Sequence, residues 1–116
     1  MFSGFSHVMM FVNDFDRAMR WYTDTLGCTV LFSAAPHYAS LRLESAGVNV
    51  ALHPSSAQGK DVGFGPMPYF KVSSVEDTLA TLQAKGIKVG KLQQEGPTKF
   101  ATFWDSEGNA IGIQAG

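Results

Sequence analysis

The strongest constraint on this chain is an internal duplication. Residues 7–12 alternate like a strand, and Asn13-Asp14 then introduces a helical pattern in which Phe15, Ala18, Tyr22 and Leu26 recur at three- and four-residue steps. Asp14 is the expected N-cap, because its carboxylate can accept from a free amide of the first turn. Leu26-Gly27 stops the helix, since glycine enters the left-handed conformation at little cost, and residues 28–32 resume with strand-like side chains. Residues 37–43 and 48–53 supply two more strands around Glu44-Ser45-Ala46-Gly47, which reads as a hairpin turn. The second half runs in the same order: a strand at 69–72, a helix opened by Ser73-Ser74 with Val75, Leu79 and Leu82 on its buried stripe, and Lys85-Gly86 to close it. Strands at 87–89, 99–104 and 110–114 follow. Ser74 with Asp77 resembles a capping box, the aspartate being a shorter substitute for glutamate. The caps Asp14 and Ser74 stand 60 residues apart and the terminating glycines Gly27 and Gly86 stand 59 apart. Two copies of a βαβββ unit, an α+β fold, are therefore expected.

The copies are joined by residues 54–66, where Ser55-Ser56, Gly59, Gly63 and Gly65 hold neither a helix nor a strand together. With 116 residues the chain suffices for one core and is short for two ordinary domains. The expected layout is thus one domain over 1–116, with module one at about 1–53, a linker at about 54–66 and module two at about 67–116. Such a linker allows the modules to pack within one chain or to exchange between two. Nine basic and ten acidic side chains are interspersed at a formal charge of −1, so no basic stripe awaits phosphate backbones and no nucleic-acid partner is expected. The first ten residues lack a leader pattern, and nowhere is there an apolar run of roughly 18 residues, so a cytoplasmic protein with no membrane partner is expected. The single cysteine, Cys28, cannot form an internal disulfide and reads as a small buried strand residue.

The segment from His7 through Asn13-Asp14, with Ala18, Trp21-Tyr22 and Leu26-Gly27, resembles the opening of glyoxalase-type modules. Phe103-Trp104-Asp105-Ser106-Glu107-Gly108-Asn109 is similar to the turn that leads into the last strand of the same family. Order, spacing and duplication together make the chain resemble the glyoxalase, bleomycin-resistance and extradiol-dioxygenase superfamily, also known as the vicinal oxygen chelate superfamily, over nearly its whole length. The resemblance implies modules whose sheets curl into half-barrels around a central cavity, incompletely closed, and often a homodimer. In enzymatic members a divalent metal binds there, held by a residue early in the first strand and by a carboxylate or histidine in the fourth strand of each module, and acts as a Lewis acid.

Carried over position by position, His7 matches the first-strand ligand of module one and is a competent donor. Its counterpart at the 60-residue offset is Met67, a thioether suited to soft metals. The last-strand ligand position, three residues beyond Asn109, is Gly112, and the fourth-strand position of module one is Ala51; neither has a donor. His53 lies on the same strand face as Ala51, so a register slip would let His7 and His53 share a metal. Glu44, Asp105 and Glu107 all fall in expected turns.

If His7 points inward, alternation brings Met9 and Phe11 to the same face, and Met67, Tyr69 and Lys71 in module two. The fourth strands add Asn49, Ala51 and His53, and Ala110, Gly112 and Gln114. Ring and thioether surface with a few polar groups suits a small flat or greasy ligand, though Met9, Phe11 and Met67 serve equally as plain core and Lys71 can reach solvent. His37 and Tyr38 follow Pro36 at a loop-to-strand boundary, as a cavity rim or a polar edge. Trp21 reads as helix-to-sheet packing and Trp104 as the better ligand candidate. No nucleophile elbow, phosphate loop or paired-cysteine motif is present. The expectation is a homodimeric binder of a small hydrophobic or aromatic molecule with no cofactor. The alternative is a lyase or ring-cleaving dioxygenase that uses zinc, nickel, manganese or iron through His7, His53 and a further ligand. Assembly with a partner alone is the third reading.

Overall fold

Asp14 caps the first helix as its position demands: its Oδ1 accepts from the Arg17 amide at 3.0 Å, and α1 runs Phe15–Arg20 in the computed structural model, which describes residues 1–116. The helix then widens into a π-turn over Trp21–Thr25, where the Thr23 hydroxyl donates to the Met19 carbonyl at 2.8 Å. Gly27, at φ +85°, ends it. Strands β1 (Val8–Val12), β2 (Thr29–Ala34), β3 (Tyr38–Leu43) and β4 (Val48–Pro54) form a sheet in the order β1-β4-β3-β2, with β1 parallel to β4 and the other pairs antiparallel. The predicted hairpin turn is a 3-10 turn over Glu44–Ala46, closed by Gly47 in the left-handed region at φ +66°. Met10, Val12, Val50, Leu52 and Leu41 alternate onto the helix side and are buried with Phe15, Ala18 and Tyr22. Burying one such aliphatic side chain contributes roughly 1.5–3 kcal/mol, so this face supplies much of the unit's stability.

The chain divides into two compact units, Met1–Val62 and Gly63–Gly116, and the division falls inside the predicted linker. That linker has more structure than its composition suggests. Pro54 belongs to β4, the Ser55 amide donates to the Val12 carbonyl at 2.9 Å, and the Ser55 hydroxyl donates to Asp61 and accepts from the Gly59 amide at 2.7 Å.

The second unit repeats the order with β5 (Tyr69–Lys71), α2 (Val75–Ala84), β6 (Gln93–Glu95), β7 (Thr98–Trp104) and β8 (Ala110–Ala115), in a sheet of order β5-β8-β7-β6. Ser74 caps α2 by accepting from the Asp77 amide at 3.1 Å. One element is not where the pattern places it. Of residues 87–89 only Val89 pairs, in a single bridge to Phe103, and the strand is instead Gln93–Glu95. Two bonds make that bridge, the Gly90 amide donating to the Thr102 carbonyl at 2.7 Å and the Trp104 amide to the Lys88 carbonyl at 3.1 Å, and a Cβ on Gly90 would stand 3.2 Å from the Thr102 oxygen, so the chain approaches β7 closely at a glycine without continuing as a strand. The edge strand that replaces it is polar and fully exposed, which leaves no alternation to detect. The turn before β8 is held by buried groups. Asp105 Oδ1 accepts from the amides of Glu107 and Asn109, both at 2.8 Å, and Asp105 Oδ2 accepts from Asn109 Nδ2 at 2.9 Å. Asn109 Oδ1 in turn accepts from the Gly63 amide at 2.7 Å. No helix is long and apolar enough to cross a membrane.

Candidate functional site

Each sheet buries one face against its helix, so strand alternation delivers a second, helix-free face whose residues follow from the register. In the first unit three rows cross the strands. Phe11 pairs with His53, and Tyr38 stands opposite His53 on β3, one step beyond the Ala39–Leu52 pair. The Phe11 and His53 rings meet edge to face at 6.0 Å, and the ring of Phe32, which pairs with Ser40 of the next row, lies 6.3 Å from that of Tyr38. The next row holds Met9, Ala51 and Ser40, and the last holds Asn49 and Arg42, near the 44–47 turn, with His7 one residue before β1 at the same end.

Arg42 donates from Nη1 to Asn49 Oδ1 at 3.0 Å, and its Nε lies 3.7 Å from the exposed Glu44 carboxylate. His53 Nδ1 sits 2.7 Å from the Pro54 carbonyl, which can only accept; Nδ1 is therefore the donor and Nε2 is the ring's other site. His7 Nδ1 lies 2.8 Å from the Ser6 hydroxyl. His37 is exposed in the turn before β3, where its amide donates to Ala34, and does not join these rows.

In the second unit Tyr69 pairs with Gly112 and Lys71 with Gln114, while Thr102 and Phe100 flank them from β7. Three atoms of the Tyr69 ring lie 2.5–2.6 Å from where a Cβ on Gly112 would stand. The ring thus occupies the space that any side chain at 112 would need. Trp104 pairs with Ala110 and is covered by Lys88, whose Nζ lies 4.9 Å from the ring centroid, which makes it a packed member of its own unit. Met67 is half-buried two residues before Tyr69. Trp21 packs edge to face at 4.8 Å on Tyr22, its buried neighbour in the same helical turn. Cys28 is buried as expected but stands just before β2 and not within a strand, and desolvation pushes its thiol up to about 11.

The model of the Glyoxalase/Bleomycin resistance protein/Dioxygenase superfamily matches residues 4–113. The chain belongs to this superfamily. Its structure is similar to a glyoxylase/bleomycin resistance protein/dioxygenase domain from Frankia sp. EAN1pec, at 25% identity and a TM-score of 0.79, over 100% of this chain and 93% of that one. It is also similar to the glyoxalase family protein from Enterococcus faecalis, at 21% identity and a TM-score of 0.79 over 98% of each chain. The fosfomycin resistance protein FosX of Listeria monocytogenes matches at 16% identity with a TM-score of 0.80, over 100% of this chain and 95% of that one. No curated protein sequence matches significantly.

The donor set does not fit the divalent ion of the superfamily's enzymes. No group of three or more His, Cys, Asp or Glu side chains gathers in the chain. The shared His7–His53 site is corrected by the register: Val8 pairs with Val50 and Phe11 with His53, so the two histidines stand four residues apart along parallel strands, roughly 13 Å at the usual rise. Imidazoles on side chains perpendicular to a sheet do not converge over that distance. Ala51 is fully buried between its neighbours and Gly112 lies under a tyrosine. Reading only first and fourth strands overlooked Ser40, Arg42 and Phe32 in the first unit and Phe100 and Thr102 in the second. The strict alternation of residues 38–43 already carries the signal for Ser40 and Arg42.

Proposed function

We propose that this superfamily member binds a small hydrophobic or aromatic molecule on the helix-free faces of its sheets, without a complete metal site. The observation that supports it is the substitution pattern. Of the positions that the resemblance assigns to metal ligands, His7 keeps a donor while Ala51, Met67 and Gly112 do not suit a hard divalent ion, with the Tyr69 ring over the last, and aromatic and thioether side chains remain around them. The contact set is His7, Met9, Phe11, Tyr38, Asn49 and His53 in the first unit, with His37 at its rim, and Met67, Tyr69, Gln114 and Trp104 in the second. In this reading the rings hold a flat body by dispersion and the amide and imidazole groups orient it. The role is sequestration of such a molecule, as in the antibiotic-resistance branch of the superfamily, in a cytoplasmic homodimer. Val30, Leu31 and Phe32 on edge strand β2, all exposed, favour a second copy as cover.

Thermal-shift screening of the full chain against small aromatic compounds, run with and without chelator, tests the reading. Stabilisation that persists in chelator and is weakened in Phe11→Ala is the expected result. Stabilisation that appears only with an added divalent metal would establish the metal-dependent lyase or dioxygenase instead. Sedimentation at micromolar concentration reads the dimer, and a monomer there removes that part.

A further inference from the structure

The three rows of the first unit differ in chemistry from one end to the other. Phe11, His53 and Tyr38 make one band, with the Phe32 ring against Tyr38; Met9, Ala51 and Ser40 make the middle row, in which Ala51 is fully buried; and Arg42 with Asn49 makes the opposite band. The Asn49 and His53 rows are four residues apart on one strand, roughly 13 Å, a span that one or two fused rings with an anionic group at one end bridge once a side chain's thickness at each end is allowed for. No aspartate or glutamate stands on these rows, although the chain as a whole carries a net charge of −1. The guanidinium is half-buried, donates to a neutral amide, and forms an ion pair with the exposed Glu44 carboxylate at 3.7 Å, too long for a hydrogen bond and open to exchange for a bound anion. A planar fork of five donors with one hydrogen bond to a neutral partner and a loose, solvent-exposed ion pair is suited to a carboxylate or a similar oxyanion.

We infer that the ligand of this face is an aromatic acid, a compact one- or two-ring body carrying one anionic group, with its rings against Phe11, His53 and Tyr38 and its anion on Arg42. This rests on the reading of the helix-free face as a ligand site and adds the charge of what binds there. Asn49 is a positioning residue, since its Oδ1 holds the guanidinium at its end of the face. A neutral molecule of the same shape gains the ring contacts and leaves the arginine to water, so the face discriminates between an acid and its amide.

The test uses two probes of one shape, 2-naphthoate and 2-naphthamide, titrated into the full chain and followed by amide chemical shifts. Naphthoate is expected to shift the amides of Ser40, Asn49 and Ala51 and to bind at least about tenfold tighter than naphthamide, the worth of one charge-assisted pair at a half-buried site. Arg42→Gln is expected to weaken naphthoate about tenfold and to leave naphthamide unchanged, and Arg42→Lys to retain part of the preference. The preference in the unaltered protein is also expected to shrink as salt rises, a readout that does not depend on any variant folding. Equal affinity for the two probes, or a preference unmoved by salt and by Arg42→Gln, overturns the charge assignment and leaves the hydrophobic-ligand reading standing. Failure of both probes to bind overturns both.

Discussion

Replacing Gly112 by alanine places a methyl group 2.5–2.6 Å from three atoms of the Tyr69 ring, closer than non-bonded carbons approach. Overpacking of this kind costs about 1–3 kcal/mol, and because Tyr69 is 45% exposed its ring can swing outward, which points to the lower half of that range. Against this, alanine in a strand interior recovers about 0.5–1 kcal/mol of the conformational entropy that glycine loses on folding. Gly112→Ala is therefore expected to destabilise by about 1 kcal/mol. In a Tyr69→Ala background the clash is gone and the same change should be neutral or stabilising by about 0.5 kcal/mol. The coupling between the two sites is then about 1.5 kcal/mol, well inside what contacting residues show. Urea unfolding of the unaltered chain, the two single variants and the double variant, followed by circular dichroism, measures all four corners. Equal losses from Gly112→Ala in both backgrounds would refute the close approach and, with it, the account of why this position carries no side chain.

Asp105→Ala removes an acceptor of three hydrogen bonds from a buried turn and strands two backbone amides, so a loss of about 2–4 kcal/mol is expected by the same unfolding measurement. A loss below about 0.5 kcal/mol would show that the turn does not depend on the carboxylate. For Cys28, burial raises the thiol from 9.0 to about 11, so the folded chain keeps its proton where the unfolded chain has released it. Its contribution is intact below pH 9 and is lost as pH rises through 9 towards 11, and Cys28→Ala should lack this component. A thiol-specific reagent at pH 8 should accordingly leave the native protein unlabelled and label it on unfolding, and rapid native labelling would contradict the burial.

The legible part of the fold was its punctuation. Asp14 and Ser74 cap the helices that follow them, and Gly27 and Gly86 stand just beyond them at positive φ, because caps and left-handed residues are local chemistry that a sequence displays directly. The alternation of Tyr38 through Leu43 likewise appears in the burial of every second residue. What was hidden depends on partners distant in the chain. Strand β6 is a polar edge whose only signature is its pairing with β7, and the predicted strand at 87–89 reduces to the single Val89–Phe103 bridge. The relation of His7 to His53 required the parallel register of β1 on β4, which alternation alone does not fix. Gly112 reads as a missing ligand in sequence, whereas the structure supplies a physical reason for it, the ring of Tyr69.

The central claim, that a superfamily fold persists here around a dismantled donor set, is tested most directly by metal content. The full chain, incubated with manganese, zinc, nickel and ferrous iron in turn and then freed of unbound ions by gel filtration, should carry far less than one ion per chain by elemental mass spectrometry. One tightly held ion per chain, lost in His7→Ala, would contradict the claim and place the protein with the metal-dependent members.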